Sequence, residues 1–396
     1  MTKVKDLQAD MDIKLYPHQQ KFLDECPDNA LLAFDTGCGK SLAAILWLEK
    51  KNKANNLIIT PKNIKAQWQR QMVHYRHIPC TILTKEEFKG RPIEEPVDCI
   101  VFDEADYAGS MLFGKGRSNL AEHLYNTIRR HEPMVLLMTA TPFRNAPHTI
   151  HTLLSYIQKA PIWKKWQNAC YDLVKLPYMP RMGWIPKKDW RRFAVSYAHP
   201  RMYVAKISDI VSAPKQNVDV VRVLTKSYPQ LDTKIDSAFS PVVLEGAALW
   251  HAKARAENGK EKLEWIKEYI RGKSKVVIVC RYKAQIADYA KELEKTREVY
   301  VLTGDTKDAD ATIRAARESF EGILIVQASI GAGFQLPEYA HMVFASCSFS
   351  HRDKTQMMGR ILRIDALHEN WYTFLIGGKC DESVWERLEQ GKDFEL

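Results

Sequence analysis

No CxxC pair occurs among the eight cysteines, which lie scattered along the 396 residues. That argues against a zinc site or a disulfide framework, and for buried, reduced thiols in the cytoplasm. No apolar stretch approaches the roughly 18 residues a bilayer span needs, so no membrane partner is expected. The opening MTKVKDLQADMDIKLYP has no apolar core of a secretory signal. Short-period repeats and low-complexity tails are absent as well. One stretch is poor in acid: between Lys159 and Lys215, twelve Lys/Arg face only Asp172, Asp189 and Asp209. Most of the formal charge of +10 therefore sits there. Such a run is either a solvated face or a polyanion-binding surface, and Lys187, Lys188, Arg191 and Arg192 are its candidate nucleic-acid contacts. Trp163, Trp166, Trp184 and Trp190 share the segment; they either pack it or stack on an unpaired base.

What is present points to two α/β lobes. The length exceeds what one core usually holds. Short apolar runs at Leu31–Phe34, Leu57–Thr60, Thr81–Leu83, Cys99–Phe102 and Val135–Met138 alternate with helical or loop sequence. A second series follows at Val276–Cys280, Val299–Leu302, Ile323–Val326, Met342–Ala345 and Tyr372–Leu375. Lys283–Lys295 and Asp308–Phe320 read as helices between them. Buried runs of this length, separated by helices, argue mainly parallel sheets covered on both faces. The expected division is a first lobe over 1–158, an irregular basic insert or linker over 159–215, and a second lobe over 216–396.

The chemistry starts at LAFDTGCGKS, Leu32 to Ser41. A buried strand runs into a loop of Thr36, Gly37, Cys38 and Gly39, and then into a helix that opens with Lys40 and Ser41. Glycines let backbone N–H groups approach phosphates, the helix N-terminus adds positive potential, the lysine reaches β/γ oxygens and the hydroxyl ligates Mg²⁺. A strict phosphate loop has one more glycine, where Phe34 stands. The next signal is VDCIVFDEAD, Val97 to Asp106. A buried strand there delivers Asp103 and Glu104 to its C-terminal end, where open α/β sheets collect ligands. That pair suits a Mg²⁺ ligand beside a water-activating base.

With Gly39-Lys40-Ser41 before it and Thr139-Ala140-Thr141 after it, DEAD resembles a superfamily-two helicase or translocase, whose fold is two RecA-like lobes. QMMGRILR, with Gln356, Gly359, Arg360 and Arg363, is similar to the matching half in the second lobe. TPKNIKAQW, in which Pro61 and Trp68 frame a helix, resembles the Swi/Snf-type double-stranded DNA translocases rather than the DEAD-box RNA branch. LYPHQ (Leu15 to Gln19), LTGDT with Arg314, Arg317 and Phe320, and SIGAGFQL (Ser329 to Leu336) look like further strings of that family, which also lacks the first loop glycine. The family more often has histidine at Asp106 and isoleucine-glycine at Ile364-Asp365. The large insertions of chromatin remodellers have no room here, so the likeness is to compact bacterial or phage members.

The resemblance implies ATP and Mg²⁺ as cofactors, with Gln19 reading adenine and Gly333 near the nucleotide. Arg360 and Arg363 would act as fingers on the γ-phosphate, although a helix-surface ion pair is the alternative for Arg363. Asp106, Thr139, Thr141 and Gln356 would couple the nucleotide state to nucleic acid; for the threonines a hydroxyl-capped turn is the alternative. Pro61, Lys62, Arg281, Thr303, Gly304 and Ser329 would hold phosphates without reading sequence. The expected function is ATP-driven translocation on duplex or branched DNA in preference to RNA, with protein partners from replication or recombination. The rivals are a strand-separating RNA or DNA helicase, disfavoured because no separation hairpin is evident, and a non-hydrolysing ATP-switched clamp. A DNA contact by Lys115 or Arg117 in the glycine-rich loop Gly109–Ser118 is a weaker expectation.

Overall fold

A computed structural model describes residues 14–73, 75, 77–109, 111–112, 116–143, 146–157, 160–175, 182–210, 214–225, 234–237, 240–243, 246–330, 334–362, 368–391 and 394. The chain divides into two units, Met1–Asp209 and Ile210–Leu396.

In the first unit the apolar runs become β1 (Asn29–Phe34), β2 (Asn56–Thr60), β3 (Cys80–Thr84) and β4 (Cys99–Asp103). A two-residue ribbon of β5 (Met111–Leu112) and β6 (Gly116–Arg117) follows, and then β7 (Met134–Met138). A longer hairpin of β8 (Tyr171–Lys175) and β9 (Met182–Pro186) precedes β10 (Met202–Ala205). The sheet order is β10-β1-β7-β4-β2-β3, with every pairing parallel. Alternate residues of the central strands leave the sheet on opposite sides, and both sets are buried. Leu31, Ile100 and Leu137 enter one cluster, while Leu32, Val101 and Leu136 are buried on the other face. Helices on both faces exclude water from the strands, which is why these strands read as continuous apolar runs.

The second unit repeats the plan. Its strands are β11 (Gln216–Arg222), the hairpin β12 (Lys234–Ser237) and β13 (Ser240–Val243), then β14 (Val276–Cys280), β15 (Val299–Leu302), β16 (Ile323–Gln327), β17 (His341–Phe344) and β18 (Asn370–Ile376). The order β11-β18-β17-β14-β16-β15 is again wholly parallel. Val277 and Val279 pack into one core while Val276, Ile278 and Cys280 pack into the other, so this sheet is also covered on both faces. Both units are parallel α/β sheets covered on both faces. Among the described residues no helix is long and apolar enough to cross a membrane.

The middle segment differs from the expectation of an irregular linker. Through Asp209 it is part of the first unit. Helix Trp163–Cys170 packs on helix Trp190–Ala198, Trp166 and Trp190 are buried in the first unit's core, and β10 extends the sheet beside β1. Trp166 also donates its indole N–H to the Pro147 carbonyl (3.2 Å). Trp163, Trp166 and Cys170, and Trp190, Ala194 and Ala198, keep the spacing of a helix face, but each run is too short to stand out among the prolines and basic residues around it.

Candidate functional site

The phosphate loop leaves β1 at Phe34 and enters helix Lys40–Lys51. Gly37 and Gly39 sit at φ +91° and +73°, a left-handed region that an L side chain reaches only with strain. A Cβ on Gly39 would also strike the Gln19 amide. The apolar Leu-Ala-Ala-Ile run propagates the helix, and Lys50 and Lys51 in its last turn complement the dipole. They donate to Leu23 O and Cys26 O, which fastens the helix's far end. Lys40 Nζ donates to Phe34 O (2.7 Å) and Asp35 O (3.2 Å), so its ammonium lies over the loop it would serve. Ser41 is beside it in the first turn.

Two neighbours hold this loop in ways the sequence does not display. Gln19 donates to Gly39 O (3.0 Å), and its oxygen accepts Tyr16 N–H (2.9 Å). Both ends of the amide expected to read adenine are therefore engaged with protein. His18, one residue earlier, lies 2.9 Å from Cys38 O through Nε2 and sets its ring edge-on to Phe34. On the opposite side Asp35 accepts Ile207 N–H (3.1 Å) and donates its own N–H to Ala205 O (2.8 Å). The end of β10 therefore braces the loop.

Strand β4 carries Asp103 to the same C-terminal edge. Both carboxylates of the pair are buried. Asp103 accepts the Trp68 indole N–H (2.9 Å) and the Glu104 N–H (3.0 Å). Burial first, and the Glu104 charge second, push its carboxyl above the usual range, while Trp68 and Lys40 pull it back. Glu104 has φ +54°, a conformation that costs a non-glycine residue about 1–2 kcal/mol. Two residues on, the Asp106 carboxylate accepts Thr139 Oγ1 at the end of β7 (3.3 Å), and Thr139 Oγ1 accepts Thr141 N–H (3.1 Å). The expected coupling residues of this unit thus form one chain of contacts beside the acid pair. Pro61 (buried) and Lys62 (exposed) follow β2 on the same edge.

A Mg²⁺ held with a triphosphate needs only one or two protein ligands, the rest being phosphate and water oxygens. Ser41 and Asp103 supply that number, and the glycine loop with Lys40 fits a triphosphate.

In the second unit the expected phosphate contacts gather at the sheet's C-terminal edge, Arg281 after β14, Thr303 and Gly304 after β15, and Ser329 after β16. Gly304 and Ser329 are exposed. Gly304 N–H is turned onto the Gln327 side chain (3.3 Å). Arg281 differs from an open phosphate contact. It is partly buried, and its guanidinium carbon lies 3.1 Å from the centre of the Phe349 ring. Arg360 is buried and donates to Gln356 O (2.9 Å) and Phe334 O (2.9 Å), so helix His351–Met358 and the 334–336 stretch position it. Gln356 is buried one turn earlier. Arg363, Gly333 and Lys115 lie outside the described residues, as does the side chain of Arg117.

Residues 261–365 match the model of the helicase conserved C-terminal domain. That match falls within the second unit. In chain order that match follows the phosphate loop and acid pair of the first unit. No curated protein matches the chain. Among solved structures, the Sulfolobus solfataricus SWI2/SNF2 ATPase core in complex with dsDNA is similar over 96% of this chain and 91% of that one, at 15% identity and a TM-score of 0.41.

His18, Trp68 and Ile207 are the site residues that sequence reasoning passed over. His18 sits inside LYPHQ, and Trp68 stands out only as a framing residue. Ile207 carries no signal, because its backbone does the work.

Proposed function

We propose that this helicase core is an ATP-dependent translocase of the Swi/Snf-like type, acting on double-stranded or branched DNA. The observation that carries it is the joint at one sheet edge of a left-handed glycine loop, Lys40 and the buried Asp103–Glu104 pair. When bound, Mg·ATP supplies the phosphoryl group to be transferred to water. Lys40 and Ser41 would hold its β/γ oxygens and the cation, and Asp103 would complete the metal site. Glu104 orients the attacking water and takes its proton. Arg360 and Arg363 stabilise the charge that develops, a role worth about 10³–10⁵ in rate. For Arg360 this requires release from Gln356 O and Phe334 O. Asp106, Thr139, Thr141 and Gln356 relay the nucleotide state to the contacts that hold DNA phosphates. An ATP-switched clamp has no use for Glu104 or finger arginines.

The preference for duplex rests on the Pro61–Trp68 string and the second-lobe strings. For a strand-separating activity the one favouring observation is the antiparallel pairing of β8 with β9 in the basic segment. The test is ATP hydrolysis over duplex, forked, single-stranded and RNA ligands. Duplex or forked DNA should stimulate most, and stimulation by RNA alone would reject the assignment. Glu104→Gln should bind ATP while losing roughly 10²–10⁴ in turnover, the worth of a general base.

A further inference from the structure

The amide expected to read adenine is already engaged at both ends. Gln19 lies in the first turn of helix Pro17–Glu25 and is 1% exposed. Its Oε1 accepts the Tyr16 N–H (2.9 Å), the return bond of a capping box, which ties down the start of its own helix. Its Nε2 donates to Gly39 O (3.0 Å). An amide can make a further bond from each end. Here neither end meets solvent, so a base could engage the side chain only after the loop had let go.

The preceding residue acts one carbonyl earlier in the loop. His18 Nε2 lies 2.9 Å from Cys38 O, and its ring stands edge-on to Phe34 with centroids 4.8 Å apart. A carbonyl can only accept, so Nε2 carries the proton. Two consecutive side chains thus hold two consecutive carbonyls. In a trans peptide the N–H points opposite to the C=O, and no cis bond occurs among the described residues. Holding Cys38 O and Gly39 O therefore turns Gly39 N–H and Lys40 N–H the other way, as a phosphate cradle needs. What the pair shapes is the part of the site that every nucleoside triphosphate would use.

We propose that His18 and Gln19 are positioning residues for the phosphate loop, and that the site selects a nucleoside triphosphate by its phosphates with little regard to its base. The inference rests on the ATPase reading above and widens its substrate class. It is tested on the full chain, with the DNA that stimulates most, by hydrolysis of ATP, GTP, CTP and UTP. Their kcat/KM values should agree within about tenfold, whereas a site built to hydrogen-bond its substrate rejects analogues by about 10⁴–10⁵. Gln19→Met keeps a long side chain and removes both bonds, and it should weaken all four nucleotides alike, by roughly tenfold. Tripolyphosphate, which has neither base nor sugar, should lose the same factor as a competitive inhibitor. His18→Phe, which keeps a ring against Phe34, should give the same base-blind loss. Unchanged tripolyphosphate inhibition in both variants would overturn the proposal, even if their melting temperatures fell, since that is a structural effect only. A Gln19→Met loss confined to ATP would return the amide to adenine. A wild type that prefers ATP by more than tenfold would also overturn it, and that result needs no variant to fold. If no nucleotide is hydrolysed with any DNA, the ATPase reading falls instead. Tripolyphosphate binding to wild type and Gln19→Met, read by calorimetry, would then still decide the role of the pair.

Discussion

Asp103 must be ionised to ligate a cation, yet its surroundings favour the proton. Burial and the Glu104 charge raise its carboxyl to about 6, against the pull of Trp68, Lys40 and the Glu104 amide. A raised carboxyl means that the folded chain holds this proton more tightly than the unfolded chain does. The group therefore favours the fold at low pH, and a penalty grows as pH rises through about 6. Cation binding relieves the penalty. Mg²⁺ affinity in the presence of ATP, read by titration calorimetry, should fall about tenfold per pH unit below that point. The thermal upshift given by Mg·ATP should shrink in step. The same carboxylate makes Trp68 testable. Trp68→Phe keeps an aromatic ring at this buried site and removes both the donor to Asp103 and the pyrrole half of the indole. It should cost about 1–3 kcal/mol in denaturant unfolding, and the loss should shrink when Asp103 is already asparagine, as a double-mutant cycle would show. The acid pair itself was legible in the sequence, because a strand end is a local feature. The tryptophan's role was not, since it depends on β2 and β4 being neighbours in the sheet.

At the scale of elements, the edge strand β10 holds the phosphate loop from outside. It converts β1 from an edge into an interior strand, and the turn beyond it donates Ile207 N–H to Asp35. Ile207 opens a short 3₁₀ turn, Ile207–Asp209, a position where proline suits the backbone. Ile207→Pro should therefore remove that donor and weaken ATP binding by roughly 10- to 100-fold, in line with a hydrogen bond to a charged group. Fluorescent-nucleotide titration reads it, and equal affinity in the variant would show that the brace is idle. Strands β1 to β4 and β7 were readable from their apolar runs, as were β14 to β18. By contrast β10 buries only Ala205 and β11 buries none of its residues fully, so no buried apolar run marks them. The hairpin β8–β9 was hidden for the same reason.

For the molecule as a whole, charge is the lever. A duplex contact neutralising about six phosphates should give log K falling with log salt at a slope near −5. Replacing Lys187, Lys188, Arg191 and Arg192 by alanine should flatten that slope by about 2–3, because Lys187 already donates to Asn168 O (2.7 Å) and is partly committed. Filter binding at several salt concentrations measures it, and an unaltered slope would mark the cluster as a solvated face.

Consecutive residues were enough to establish a phosphate loop, an acid-tipped strand and two alternating α/β series, because each is built from neighbours in the chain whose spacing is its chemistry. Folding in three dimensions settled what spacing cannot carry. It turned Gln19 and His18 onto the loop, set Trp68 against Asp103, and drew the basic middle segment into the first unit by burying Trp166 and Trp190. Those outcomes depend on which distant surfaces meet, and a side chain's partner is chosen by burial after the sheet has formed.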